Sequence, residues 1–315
     1  MIDTGLRLRE YLDTVHTVAI AVHEKPDGDA CGGAVACAVA LQEIGKKTVI
    51  WDRFDFPEHY TWLYEQVEDT DEPPDCVLIL DSGDMTRVSD SSRAKIGTIP
   101  VINIDHHADN THFGVYNFVD ANASSVSEMI FFYIQSWNIA LPLAFYEAVY
   151  TGIMTDTGNF AYSNTTACTL KAASSILTKI GNPASIYRKV WASYKPGSLV
   201  AFGRILSRAK TFANDRLVVS YCTLDDCAEL VMTYADIEHA VNFLGNIKNS
   251  EVFILIKETS PTTCRVSLRS AGVINVAEFA RAHEGGGHAF AAGATVHGTV
   301  EESMKYIVSK WSAMV

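Results

Sequence analysis

No Cys-x-x-Cys pair occurs in this 315-residue sequence, although it holds seven cysteines, at positions 31, 37, 76, 168, 222, 227 and 264. Their odd number and scatter argue against a disulfide framework or a structural zinc site, and fit reduced thiols packed as small core residues. Long apolar runs are missing too. No segment approaches the ~20 residues of a membrane span, and the charged start, MIDTGLRLREYLDTV, lacks the core of a signal peptide. A cytoplasmic location is expected. Basic residues are in deficit: 25 Lys and Arg against 37 Asp and Glu leave a formal net charge of −12. That argues against a general binder of long nucleic acid, which must neutralise many phosphates. Neither G-x-G-x-x-G nor G-x-x-x-x-G-K-[ST] is present, which removes the two commonest nucleotide-cofactor loops.

What is present is 48% hydrophobic sequence, ample for a core and, at ~100–200 residues per domain, for two domains. The charge is divided unevenly. Residues 1–185 carry 11 basic and 25 acidic side chains, net −14, and residues 186–315 carry 14 and 12, net +2. A cation-binding first half and an anion-binding second half would show this division.

The first half alternates β-branched runs, TVAIAV, KKTVIW, DCVLILD and VINID, with helix-like stretches, which is the βαβ rhythm of a mostly parallel sheet. DACGGAVACAVALQEIG reads as a buried helix starting at Asp29 and stopping at Gly45, and TTACTLKAASSILTKIG as a helix capped by Thr165 or Thr166 and ended by Gly181. Residues 1–185 are expected to form one domain, and 186–210 a helical linker broken near Lys195-Pro196-Gly197. Residues 211–315 are expected to form a smaller α/β domain, with strands in RLVVSYCTL, EVFILIKE and CRVSLRS, then a helix in VINVAEFARAH and the run EGGGHAFAAGATV.

In an open α/β sheet, side chains just past the strands converge on one crevice. His23, Asp27 and Asp29 follow the first strand, Asp81 ends DCVLILD, Asp105, His106 and His107 end VINID, and Asp156 closes an apolar segment that could reach the same place. Any one of the aspartates could be a turn residue or helix cap. Eight such groups together are harder to explain by capping, because clustered carboxylates need cations. Carboxylates with a few imidazoles suit Mn²⁺, with Mg²⁺ or Co²⁺ as alternatives, and two such ions sharing a carboxylate make a phosphoryl-transfer site.

HEKPDGDA (23–30), DSGD (81–84), DHH (105–107) and GIMTDTG (152–158) resemble, in order and context, the four motifs of the DHH phosphoesterase superfamily. SLRS (267–270) and GGGHAFAAG (285–293) resemble its DHH-associated C-terminal domain, so the likeness spans nearly the whole chain. The resemblance implies that His23, Asp27 and Asp81 hold one metal and Asp29, Asp81, His106 and Asp156 the other, with Asp81 bridging. It also implies that His107 faces the scissile phosphate or leaving oxygen while Asp105 orients a neighbouring imidazole, and that the active site is the cleft between the domains.

Arg269, Ser270, Gly285, Gly286, Gly287 and His288 would then bind substrate: an arginine suits bidentate phosphate contact, and consecutive glycines let a backbone come close to one. The compact two-domain length is similar to the nanoRNase members, which implies hydrolysis of very short RNA to nucleoside 5′-monophosphates, of 3′-phosphoadenosine-5′-phosphate to AMP and phosphate, or both. A phosphodiesterase of cyclic dinucleotides or their linear products is the enzymatic alternative. A catalytically silent nucleotide or metal sensor is the alternative of another class, and homodimerisation is left open.

Overall fold

The computed structural model describes residues 2–192 and 194–311, which divide into two compact units, Met1–Ser193 and Tyr194–Val315. Each has its own apolar core.

The first unit begins with α1 (Ile2–Leu12) and β1 (Thr17–Ala21), then α2 (Gly28–Glu43) and β2 (Lys47–Ile50). A 3₁₀ stretch over Glu58–Gln66 leads to β3 (Cys76–Leu80), α3 (Asp90–Ile96), β4 (Val101–Asp105) and β5 (Tyr116–Val119). Four helices follow: α4 (Val126–Gln135), α5 (Leu143–Asp156), α6 (Ala167–Ile180) and α7 (Ala184–Trp191). All strand pairs are parallel, in the order β2-β1-β3-β4-β5. β1, β3 and β4 are buried along their whole length, as expected of strands sandwiched between helix layers. The four strands expected here fall where the β-branched runs lie. β5 went unread, because YNFV is short and only Phe118 of it is buried.

α2 is buried on nearly every side from Gly28 to Leu41, and its N-cap is Asp27 rather than the expected Asp29. α6 is capped by Thr166 and ended by Gly181 as read from the sequence. α2 and α5 approach closely at Gly152, where a Cβ would run into Ser127 Oγ and Asp29 Oδ1. A bare backbone at that point lets the helix carrying Asp156 lie against the helix carrying Asp29.

The segment 186–210 is divided. Ile186 and Val190 of α7 pack into the first core, whereas Ala201, Phe202 and Ile205 of α8 (Pro196–Ser207) pack in the second unit. Pro196 opens α8 at its first position, where a missing N–H costs nothing.

The second unit continues with β6 (Lys210–Phe212), β7 (Leu217–Cys222), α9 (Leu224–Glu229), α10 (Ala240–Leu244), β8 (Val252–Ser260) and β9 (Thr263–Ser270). It ends with α11 (Ala277–Arg281), β10 (Gly286–His288), β11 (Ala291–His297) and α12 (Val300–Trp311). The sheet order is β10-β11-β9-β8-β7-β6, antiparallel except for β7 with β8. One face is covered by α11 and α12 through Ala277, Ala280, Ile307 and Trp311. The other is covered over β7 and β8 by Phe202, Ile205, Val241 and Leu244. The glycine-rich run EGGGHAFAAGATV is a β-hairpin, since the ladder of β9 extends β11 across seven residues that have little strand preference of their own. Among the described residues, no helix is long and apolar enough to cross a membrane.

Candidate metal centre

Strand order 2-1-3-4-5 reverses between β1 and β3, and ligands of such sheets collect beyond the carboxyl ends at that reversal. His23 lies two residues past β1, Asp81 follows β3 directly, and their side chains meet there, His23 Nε2 at 3.6 Å from Asp81 Oδ2. Asp81 has φ of +54, left-handed backbone that Asp tolerates better than most residues and that takes the chain sharply off the strand. Its other oxygen, Oδ1, lies 3.4 Å from Nε2 of His106, just past β4. Each oxygen of one carboxylate thus faces a different imidazole.

Both imidazoles are oriented from behind. Nδ1 of His23 bonds the carbonyl of Glu24 at 2.9 Å, and Nδ1 of His106 bonds the carbonyl of Ala123 at 3.4 Å, so in each ring the Nδ1–H donates and Nε2 is turned toward Asp81. Asp27 accepts at Oδ1 from the amides of Asp29 and Ala30, at 3.0 and 3.1 Å. The capping role the sequence allowed is therefore real, and it occupies one oxygen only. Asp29, buried, accepts from the amides of Val126 and Ser127 at 2.6 and 2.9 Å and so also fixes the start of α4. Asp156 ends α5, where the helix dipole disfavours a carboxylate and favours a cation. It lies 3.8 Å from His106 Nε2.

Among the described residues, three sets of groups have ligand atoms within 4.8 Å of one another: His23 with Asp27 and Asp81, Asp29 with His106 and Asp156, and Asp81 with His106 and His107. The first has the members that the resemblance implies for one metal, and the second has those implied for the other except Asp81, which lies 3.4 Å from His106. A divalent ion fits the chemistry. Asp81 Oδ1 is buried with no hydrogen-bond partner, and the donors are the oxygens and imidazole nitrogens that hard and borderline ions take.

The ionisation of the cluster shows what it lacks. Burial, then the neighbouring charge of Asp81, pushes Asp29 up to about 7. Burial, reinforced by Asp29, also raises Asp156 well above the usual carboxylate range. Burial opposes charge on Asp81 and on the two imidazoles, but their mutual attraction outweighs it. Asp81 is held well below its ordinary value, while His23 rises to about 9 and His106 to about 11. Protons thus stand where cations would. A bound cation needs neutral imidazoles and ionised carboxylates, so its uptake near neutral pH is expected to release protons and to tighten as pH rises from about 6 to about 9. Calorimetry in buffers of different ionisation enthalpy checks this; heats independent of the buffer would contradict it.

His107 is placed differently from its neighbour. Its Nδ1 donates to Asp105 Oδ1 at 2.6 Å, and its Nε2 accepts from Arg87 Nη1 at 3.1 Å. Asp105 Oδ2 accepts from Asn110, which also donates to Asn103. Sequence reasoning passed over Arg87, Asn110 and Asn103. The one available signal was an arginine six residues after Asp81, in DSGDMTR.

The six substrate-binding candidates lie in the second unit and share one corner of its sheet, where Arg269 pairs with Ala291 and Ala291 with His288. The side chain of His288 lies outside the described residues. Ser270 Oγ accepts from the amides of Gly272 and Ile274 and shapes the turn after β9. A Cβ on Gly285 would strike the carbonyl of Gly293 and one on Gly287 would come 2.5 Å from that of Ala291, whereas Gly286 faces open space. Two of the three glycines therefore serve close backbone packing, and one leaves room for a ligand.

Residues 17–153 match the family model described as the DHH family, N-terminal domain, and residues 214–313 match the DHHA1 domain. The chain is 31% identical over 291 residues to the bifunctional oligoribonuclease and PAP phosphatase NrnA of Thermus thermophilus, covering 89% of this chain and 84% of that protein. The chain belongs to the DHH phosphoesterase family. It is also 30% identical, over 92% of its length and 93% of the relative's, to the probable NrnA of Streptococcus mutans. An exopolyphosphatase-related protein from Bacteroides fragilis superposes with a TM-score of 0.89 at 25% identity, covering 98% of this chain and 96% of its own. A phosphoesterase of the DHH family uses divalent metal, and the clustered carboxylates and imidazoles of this member match that use.

Proposed function

We propose that this DHH phosphoesterase is manganese-dependent and acts on very short RNA, giving nucleoside 5′-monophosphates, and on 3′-phosphoadenosine-5′-phosphate, giving AMP and phosphate. The observation that carries the reading is the pair of ligand sets adjoining Asp81, in a chain whose relatives are described as bifunctional oligoribonucleases and PAP phosphatases. His23, Asp27 and Asp81 would hold one cation and Asp29, Asp81, His106 and Asp156 the other, and the two imidazoles favour Mn²⁺ over Mg²⁺. Two divalent cations held there supply charge stabilisation for a phosphoryl group and an acidified water.

The chain's own groups do the rest. His107 keeps its proton at Nδ1, toward Asp105, and its Nε2 is filled by Arg87, so this imidazole does not compete for a cation. The guanidinium of Arg87 has further N–H donors, and a cation at the rim of an acidic cluster suits a phosphate oxygen. Arg269 and the backbone at Gly286 would hold the nucleotide end. Seven unpaired cysteines support a cytoplasmic location.

The division of charge favours short substrates. Phosphates beyond the site meet a first half of net −14, which repels them at a range set by salt. With Mn²⁺, kcat/KM is expected to be highest for two- to four-nucleotide RNA and 3′-phosphoadenosine-5′-phosphate, to fall for a strand of about 24 nucleotides, and to vanish on chelation. Added salt should narrow the gap between short and long. A panel that includes cyclic and linear dinucleotides checks this. Equal or better turnover of the long strand would replace the reading with a processive exonuclease, and no turnover at all would leave a sensor.

A further inference from the structure

Lys257, near the end of β8, is nine-tenths buried, yet its ammonium has no hydrogen-bond or ion-pair partner among the described residues. Burial, together with the charges of Arg269 and Arg265, lowers its affinity for a proton, and Glu238, exposed, is the acid that acts the other way. A buried cation beside two others is destabilising unless an anion completes the group.

The strand register shows what surrounds it. Directly paired residues share a sheet face, so three rows cross β8, β9 and β11: Lys257–Arg265–Thr295, Leu255–Ser267–Gly293 and Phe253–Arg269–Ala291. The middle row continues to Gly286 on β10. A Cβ on Gly286 would meet nothing within 4 Å, and one on Gly293 would meet only the Val266 carbonyl oxygen, at 3.9 Å. The result is a bare floor between two basic rows, with Arg265 and Arg269 four residues apart on β9, a separation of ~13 Å along the strand, and Lys257 near enough to feel the charge of both. The long side chains of the two rows border that floor from either side, which suits an anionic group larger than a single phosphate.

Resting on the function proposed above, we propose that Lys257 and Arg265 form a subsite for a second phosphate, a terminal phosphomonoester at the non-reacting end of the substrate, beside the phosphate held by Arg269. The sequence reading placed neither residue in the site. Lys257 is then a specificity residue: it distinguishes 5′-phosphorylated ends from bare hydroxyl ends.

The test compares the 5′-phosphorylated dinucleotide pApA with unphosphorylated ApA, using the full-length protein loaded with Mn²⁺. In K257M, kcat/KM for pApA is expected to fall about 10- to 100-fold, in keeping with loss of a charged hydrogen bond, while ApA falls far less. K257R should recover most of the preference. Metal content should stay constant and Tm should hold or rise, because an apolar side chain replaces an unpaired buried charge. A folded K257M that keeps the wild-type preference, or loses both substrates equally, overturns the subsite.

If the wild type cleaves neither dinucleotide, the phosphoesterase reading fails separately from this one. Calorimetric titration of 3′-phosphoadenosine-5′-phosphate into wild type and K257M in EDTA then decides. Binding weakened about tenfold or more in the variant supports the subsite, and equal binding rejects it.

Discussion

Asp81→Asn is expected to lower turnover of every substrate by roughly three orders of magnitude or more, about 4 kcal/mol of transition-state stabilisation, and to reduce bound metal. The carboxylate offers one oxygen to the neighbourhood of His23 and the other to that of His106, 3.6 and 3.4 Å away. An amide of the same shape presents one oxygen and one NH₂, carries no charge, and cannot serve two cations. Asn also tolerates the left-handed backbone at this position, φ +54, so the chain should fold. Metal analysis and kcat measured together check the result. Full activity with a full metal complement would end the shared-carboxylate assignment.

Asp105→Asn is expected to lower kcat about 10- to 100-fold while leaving metal content and KM nearly unchanged, the scale seen when the group orienting a site imidazole is lost. Asp105, fully buried, accepts from His107 Nδ1 at one oxygen and from Asn110 Nδ2 at the other. Its replacement can accept only once in that plane. If its oxygen faces His107, its NH₂ meets the NH₂ of Asn110, whose own oxygen already accepts from the amide of His112. If its NH₂ faces His107, the ring must carry its proton on Nε2, which then confronts Arg87, a group that can only donate. Either arrangement moves the imidazole. An unchanged kcat would show that the orientation of His107 plays no part in the reaction.

Much of the site was legible from local sequence, for one physical reason. In a parallel sheet every strand points the same way, so residues that end β-branched runs gather at one edge whatever the helices between them do. That rule brings together His23, Asp27, Asp29, Asp81, Asp105, His106 and His107 from loops far apart in the chain. Asp156 ends a helix and needed one further fact: the close approach of α2 and α5 at Gly152. The resemblance to the superfamily supplied the grouping of ligands, which spacing alone left open.

The cap of α2 was placed two residues late because Asp27 and Asp29 are equally good capping residues. Only the observed amide contacts separate them. β11 was unread because AAGATVH has little intrinsic strand preference, and β9 provides the pairing that holds it.

By itself the sequence determined the two-part composition, the strands whose residues are buried on both faces, and the set of candidate ligand side chains, because each depends on residue type and on neighbours in the chain. The tertiary structure decided which nitrogen each imidazole turns toward Asp81, that Arg87 closes the far side of His107, and that Lys257 lies buried beside Arg265 with no counter-ion among the described residues. Those facts depend on partners tens of residues away, brought into contact by strand register and helix packing. Side-chain orientation and the electrostatics of burial exist only once that packing is fixed.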